Sequence, residues 1–223
     1  MEGLVLFGDV IRSRRDAPAA TAWLRTLRAD LGGAYPAHER LADFEFTQGD
    51  EIQGLLDPAA DPTKAVVRAS LHPAAMPRNG GDIAMRWVIV RGVVDPGTGP
   101  ATQRSGPAFV AARERLASAA TRRERVAAVA GDPAADELLE GLAPLLGELL
   151  ADLTRRQREI AWPILVDGLR RSEAAARLDI KRATVSVAAD RAHLRGIGDL
   201  ARAVHQLTSR GLEAGAGTRT TGA

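Results

Sequence analysis

The sequence predicts an α+β domain followed by an all-α one, and three observations predict it. Up to about residue 130, apolar runs of strand character alternate with segments of helical apolar spacing in the order βαββαβ, with additions. From Thr154 onward the chain reads as helical throughout. Charge divides in the same region: residues 1–150 carry 17 Arg/Lys against 20 Asp/Glu, and residues 151–210 carry 12 against 7. The βαββαβ order fits an antiparallel sheet with helices packed on one face.

Each element has its own signal. Residues 4–8 form a short apolar strand that ends in Asp9. Pro18 to Leu31 places Ala20, Trp23, Leu24, Leu27 and Leu31 on one helical face, and Gly32-Gly33 is a C-terminal stop. Leu41–Thr47 alternates as a strand, Gln48-Gly49-Asp50 is a tight turn, and Glu51–Leu56 returns. Thr63–Ala74 is a helix, Asp82–Val94 a long strand, and 95–105 a Gly/Pro-rich loop. Pro107–Ala119 is a helix with Pro at its first position, and Arg125–Ala130 a last strand. Asp132–Leu153 is an amphipathic, Leu-rich helix that connects the halves or pairs with a second copy. The expected division is therefore 1–130, a connecting helix over 131–153, a helical domain over 154–210, and a disordered Gly/Thr/Ala-rich tail over 211–223.

Composition narrows the function. Hydrophobic residues make up 45% but aromatics only 4%, so Ala, Leu, Val and Ile must build the core. The absence of Cys excludes disulfides, thiolate catalysis and Cys-type zinc sites, and the four His are scattered. The first apolar run is short and follows Glu2, unlike a signal peptide, and no apolar stretch is long enough for a bilayer. A cytoplasmic protein is expected. The basic C-terminal block favours nucleic-acid contact.

Two acidic motifs carry the chemistry of the first domain. Asp9 closes the first strand, and Asp50 sits at the tip of the hairpin. A carboxylate at a buried strand end is costly unless a cation or donors compensate it. In a βαββαβ sheet the first strand neighbours that hairpin, so Asp9 and Asp50 are candidate Mg²⁺ ligands, with Glu51 a third carboxylate. Gly8 and Gly49 would let a phosphate approach the backbone, and Arg12, Ser13 and Arg14 follow the strand as candidate phosphate contacts.

The segments Phe7-Gly8-Asp9-Val10-Ile11, Gly49-Asp50 and Gly106-Pro107-Ala108-Phe109-Val110-Ala111-Ala112-Arg113 resemble the class III nucleotidyl cyclases. Over residues 3–130 the tighter resemblance is to the SatD-like family, through Gly8-Asp9 and through Phe46-Thr47-Gln48-Gly49-Asp50-Glu51-Ile52-Gln53-Gly54. The resemblance implies a ferredoxin-like, nucleotidyl-cyclase-like domain. It also implies a nucleotide or related ligand held by Asp9 and Asp50 with Mg²⁺, and contacts from Glu51, Gln53 and Arg113. Phe46 stands where cyclases carry a base-reading Lys, and Phe109 where they carry a catalytic Asn; the second base-reading position falls near Thr102. That combination favours binding over cyclisation.

In the second domain, Thr154 and Gln157 have the spacing of a capping box. Ser172–Leu178 is a short Ser-capped helix, Asp179-Ile180-Lys181 a turn, and Arg182–Leu194 the next helix. This is helix-turn-helix spacing, with Pro163 expected to kink the preceding helix. The segment resembles LuxR-type and sigma-region-4-type modules. The resemblance implies DNA contacts from Lys181, Arg182, Thr184, Ser186 and Arg191, with Arg155 and Arg171 at the flanks. The last helix spans 197–210. A DNA-binding transcriptional regulator is expected, a homodimer whose cyclase-like domain senses a nucleotide. The alternative is a metal-dependent nucleotidyl cyclase or nucleoside triphosphate hydrolase with an accessory helical domain.

Overall fold

The computed structural model describes residues 1–13, 16–47, 50–76 and 81–210; Arg14, Gly49 and the 211–223 tail lie outside these. The chain is α+β. Its first part runs β1 (Glu2–Val10), α1 (Ala17–Ala34), β2 (Arg40–Phe46), β3 (Glu51–Leu56), α2 (Thr63–Leu71), β4 (Met85–Val93), α3 (Pro107–Arg122), β5 (Val126–Val129) and α4 (Pro133–Ala151). The strands form one sheet in the order β2-β3-β1-β4-β5. β1 is antiparallel to both β3 and β4, whereas β5 runs parallel to β4.

The sheet is therefore mixed, not purely antiparallel, and helices cover both faces. A parallel pair needs a crossover, and α3 supplies it. Alternate strand residues divide the core accordingly. Leu4, Leu6, Trp87 and Ile89 face Trp23, Leu24, Leu27 of α1 and Val66 of α2. Val5, Phe7, Val88 and Val90 face Ala108, Phe109, Ala112 and Leu116 of α3.

Helix α1 passes through Gly32-Gly33 rather than stopping there. Two helical glycines cost about 1 kcal/mol each relative to Ala. Leu31 and Tyr35 are fully buried and offset that cost. The Tyr35 hydroxyl donates to the Asp61 carbonyl at 2.8 Å and accepts from the Ala65 N–H at 3.0 Å, which fixes the helix end.

The C-terminal part runs α5 (Arg155–Ala161), a π-helical turn (Trp162–Val166), α6 (Arg171–Arg177), α7 (Arg182–Arg191) and α8 (Leu194–Arg210). It is joined to the sheet by packing. Leu139, Leu146 and Leu150 of α4 and Ile197 and Val204 of α8 belong to the same core as Leu4 and Leu6. The Arg91 guanidinium on β4 donates to the carbonyls of Thr208 (3.1 Å) and Ser209 near the end of α8, and pairs with Glu2 at 3.1 Å. None of the described helices is long and apolar enough to cross a membrane.

Candidate functional site

Asp9 lies within β1, not beyond it, between two neighbours. Glu51 of β3 is its partner on one side and Arg86 of β4 on the other. Directly opposed residues share a face, so all three point to the side that α3 covers. Arg86 Nη1 lies 2.9 and 3.2 Å from the two Asp9 carboxylate oxygens, and its Nε donates to the Glu124 carbonyl at 3.1 Å. Burial raises the Asp9 carboxyl above its ordinary value; Arg86 lowers it, and the charges of Asp50 and Glu51 raise it again. Glu51 is directly opposed to Asp9 and Asp50 precedes it, so three carboxylates meet at this end of the sheet.

The hairpin supplies the rest. The Val10 N–H donates to the Asp50 carbonyl at 2.9 Å, and the Ser13 hydroxyl donates to the Asp50 carboxylate. Glu51 accepts from Gln53 Nε2 at 2.6 Å and lies 3.6 Å from Arg113 Nη2. The Arg113 guanidinium sits 5.2 Å from the centre of the Phe7 ring. Beside this group a cleft of about 520 Å³ opens, bounded by Phe7, Gln53, Arg104, Phe109 and Arg113. Asp9, Ser13, Asp50, Glu51, Gln53 and Arg113 are thus gathered at one end of the sheet.

Two glycine readings separate. Gly49 lies outside the described residues. At Gly8, a Cβ would come within 3.0 Å of Trp87 and 3.1 Å of Ile52 and Met85. That space is on the face opposite Asp9, so apolar packing accounts for the glycine. Arg12 also leaves the acidic group: it adopts a left-handed φ of 62° and lines a cleft with Trp87 and Arg125. Phe109 is buried against Phe7, with centroids 6.0 Å apart, and Phe46 packs against the main core. Phe46 and Phe109, the two positions at which the cyclase resemblance would imply polar groups, are thus taken up by apolar packing.

The helix pair is built on a small core of Ile160, Ala174, Ala175 and Val185. Thr154 and Gln157 form the expected capping box, at 3.3 and 2.8 Å. The Pro163 region does not simply kink. α5 gives way to the wider π turn, and Leu169 N–H closes it on the Pro163 carbonyl at 2.9 Å. α6 starts one residue before Ser172, because the Glu173 carboxylate caps the Arg170 N–H at 2.7 Å. Asp179 takes φ 51°, the left-handed position for which such turns often use Gly.

On α7, Val185 and Ala189 are buried, Ser186 is half-buried, and Lys181, Arg182, Thr184, Val187 and Arg191 are exposed. The flanking arginines are engaged elsewhere. Arg171 pairs with Asp190 at 2.7 Å, and Arg155 donates to the Met76 carbonyl.

Arg86 was missed by sequence reasoning. Its signal was a charged side chain between Met85 and Trp87 in a largely apolar run, but only the β1–β4 register identifies its partner. Among the described residues, no three His, Cys, Asp or Glu side chains form a metal-ligating group. Compared with family models, curated proteins and solved structures, the chain finds no match in any of the three.

Proposed function

We propose that the chain is a DNA-binding transcriptional regulator that reads duplex DNA through α7. One observation carries this reading: Val185 anchors α7 in the helix-pair core and Ala189 in the main core, while Arg182, Thr184 and Arg191, with Lys181 just before the helix, are exposed. That pattern suits a helix lying in a major groove. The test is fluorescence anisotropy on labelled duplex DNA over a range of salt. Phosphate contacts make log K fall linearly with log salt. Arg182→Ala should weaken binding about tenfold without lowering the melting temperature. Salt-independent or absent duplex binding would sink the reading.

The sheet domain is proposed as the sensor. Its strand order through β4, with β1 antiparallel to both neighbours, supports a ferredoxin-like βαββαβ reading. On this reading α3 and β5 are additions, and the relation is to the cyclase-like fold of the SatD-like family. The ligand is a nucleotide or related phosphorylated molecule in the cleft beside Gln53 and Arg113. Carboxylate oxygens are the right donors for Mg²⁺, and Asp9 and Asp50 are the residues that would hold it. Its contribution would be to neutralise phosphate charge, in competition with Arg86. A thermal-shift series with ATP, GTP and cyclic nucleotides, with and without Mg²⁺, tests this: a shift for one nucleotide should vanish in Asp50→Ala. The contacts of α4 and α8 offer the route from ligand to α7, and a homodimer would engage paired half-sites.

A second reading, a metal-dependent nucleotide enzyme, rests on the same three neighbouring carboxylates. Turnover of ATP or GTP abolished by Asp9→Ala would favour it over the sensor.

A further inference from the structure

On the sheet face opposite the carboxylates, a second cleft of about 360 Å³ opens where β1 ends, β4 and β5 begin, and α4 hands over to α5. Its charged lining is Arg12, Arg125, Arg158 and Asp82. Arg158 pairs with Asp82 at 3.2 Å and donates to the carbonyls of Leu153 (3.0 Å) and Ala151 (3.2 Å). Arg12 and Arg125 have no ion-pair partner among the described residues, so three guanidinium groups share one carboxylate. Burial holds the Arg158 group below its ordinary value; Asp82 opposes this and the charge of Arg125 adds to it.

Trp87 also lines the cleft, and its Nε1–H is buried without a hydrogen-bond partner among the described residues. Arg12 reaches the cleft from a left-handed backbone position, which a non-glycine residue seldom occupies. Like charges gathered in a recess are what an anion would relieve.

We propose that this cleft binds a phosphate-bearing anion, with Arg12, Arg125 and Arg158 as charge partners. The volume suits a small ligand, near the lower end of the range for small-molecule sites. Occupancy joins β1 and β5 to α5, the helix that precedes the helix pair, so the same anion would bias how α6 and α7 sit against the sheet. The site is separate from the acidic one, which lies across the sheet.

The test uses the full chain labelled with ¹⁵N at its tryptophans and titrated with pyrophosphate at constant ionic strength. Trp23, Trp87 and Trp162 give three indole signals, and Trp87→Phe assigns the one that matters. The Trp87 signal should move saturably. Arg125→Ala should weaken binding at least tenfold in a protein of unchanged circular dichroism. An equal response to sodium chloride would overturn the proposal. So would unchanged affinity in Arg125→Ala, or a loss in Asp9→Ala that Arg125→Ala does not share. A free inorganic anion and the phosphate end of a larger metabolite share this chemistry. Parallel titration with ADP separates them: tighter ADP binding assigns the larger class, and tighter pyrophosphate the smaller.

Discussion

The two faces of β1 meet different neighbours. On one, Leu4, Leu6 and Val10 are sealed beneath α1 and α2, and the Trp87 indole fills the space that Gly8 leaves. On the other, Val5 and Phe7 are covered by α3, and Asp9 follows with a quarter of its side chain exposed. Charge is tolerated where the cover ends and an arginine from the next strand reaches in. The end of the sheet is thus acidic on the α3 side and basic on the α1–α2 side, and the strands around Gly8 and Trp87 separate the two.

Trp87→Ala should break this arrangement most severely. The side chain is 1% exposed and packs over Gly8. Removing a buried Trp costs about 3–5 kcal/mol. Urea unfolding should show a loss of that size; a loss under 1 kcal/mol would mean that the indole does not hold the two faces apart.

Gly54→Ala comes next. A Cβ there would stand 2.1 Å from the Phe44 ring, which stacks on Tyr35 with centroids 5.6 Å apart. Overpacking of this kind costs about 1–3 kcal/mol. Because the strain lies on the α1 side, the ligand response proposed for the acidic cleft should persist. A loss of that response equal to the loss of stability would show the faces to be coupled.

Much of this was legible in the sequence. An apolar run gave β1 and alternation gave β2, while the 3.6 period gave α1 and Pro107 the start of α3, since all of these signals are local. The Thr154–Gln157 cap was legible because it is local. What was not legible is non-local. That β5 runs parallel to β4, and that α3 takes the second face, depends on chain direction across the sheet. The Arg86–Asp9 pair depends on register between strands 77 residues apart. Arg12 looked like a neighbour of Asp9 because it is close in sequence, yet its left-handed φ sends it to the other face. The Gly32-Gly33 stop failed because Tyr35 burial outweighed a local propensity.

Arg86→Gln tests the acidic face more gently. Arg86 is 12% exposed at its side chain, and losing one partner of a buried pair can cost 3–5 kcal/mol. Partial exposure of Asp9 should reduce that to about 1–3 kcal/mol. With the guanidinium gone, the Asp9 carboxyl should rise further, since burial, Asp50 and Glu51 all push it up. The penalty should therefore be largest at pH 7 and shrink towards pH 4, as Asp9 protonates. A penalty independent of pH would assign Arg86 a packing role alone.

Asp9→Asn should give the smallest effect, and its sign is informative. In the folded chain the Asp9 carboxyl is raised above its ordinary value. As pH rises through the ordinary value of about 3.9, the unfolded chain loses this proton first, so Asp9 ionisation subtracts stability across the window up to the folded value. Asn imitates the protonated side chain. The variant should match or slightly exceed the parent at pH 7, by a fraction of a kcal/mol, and the difference should vanish at pH 3.5. Added Mg²⁺ should invert the order at pH 7 if the carboxylates hold it, because a cation lowers the Asp9 carboxyl value and stabilises only the parent. No inversion at millimolar Mg²⁺ would leave Arg86 as the counter-charge of Asp9 and remove the metal from the proposed site.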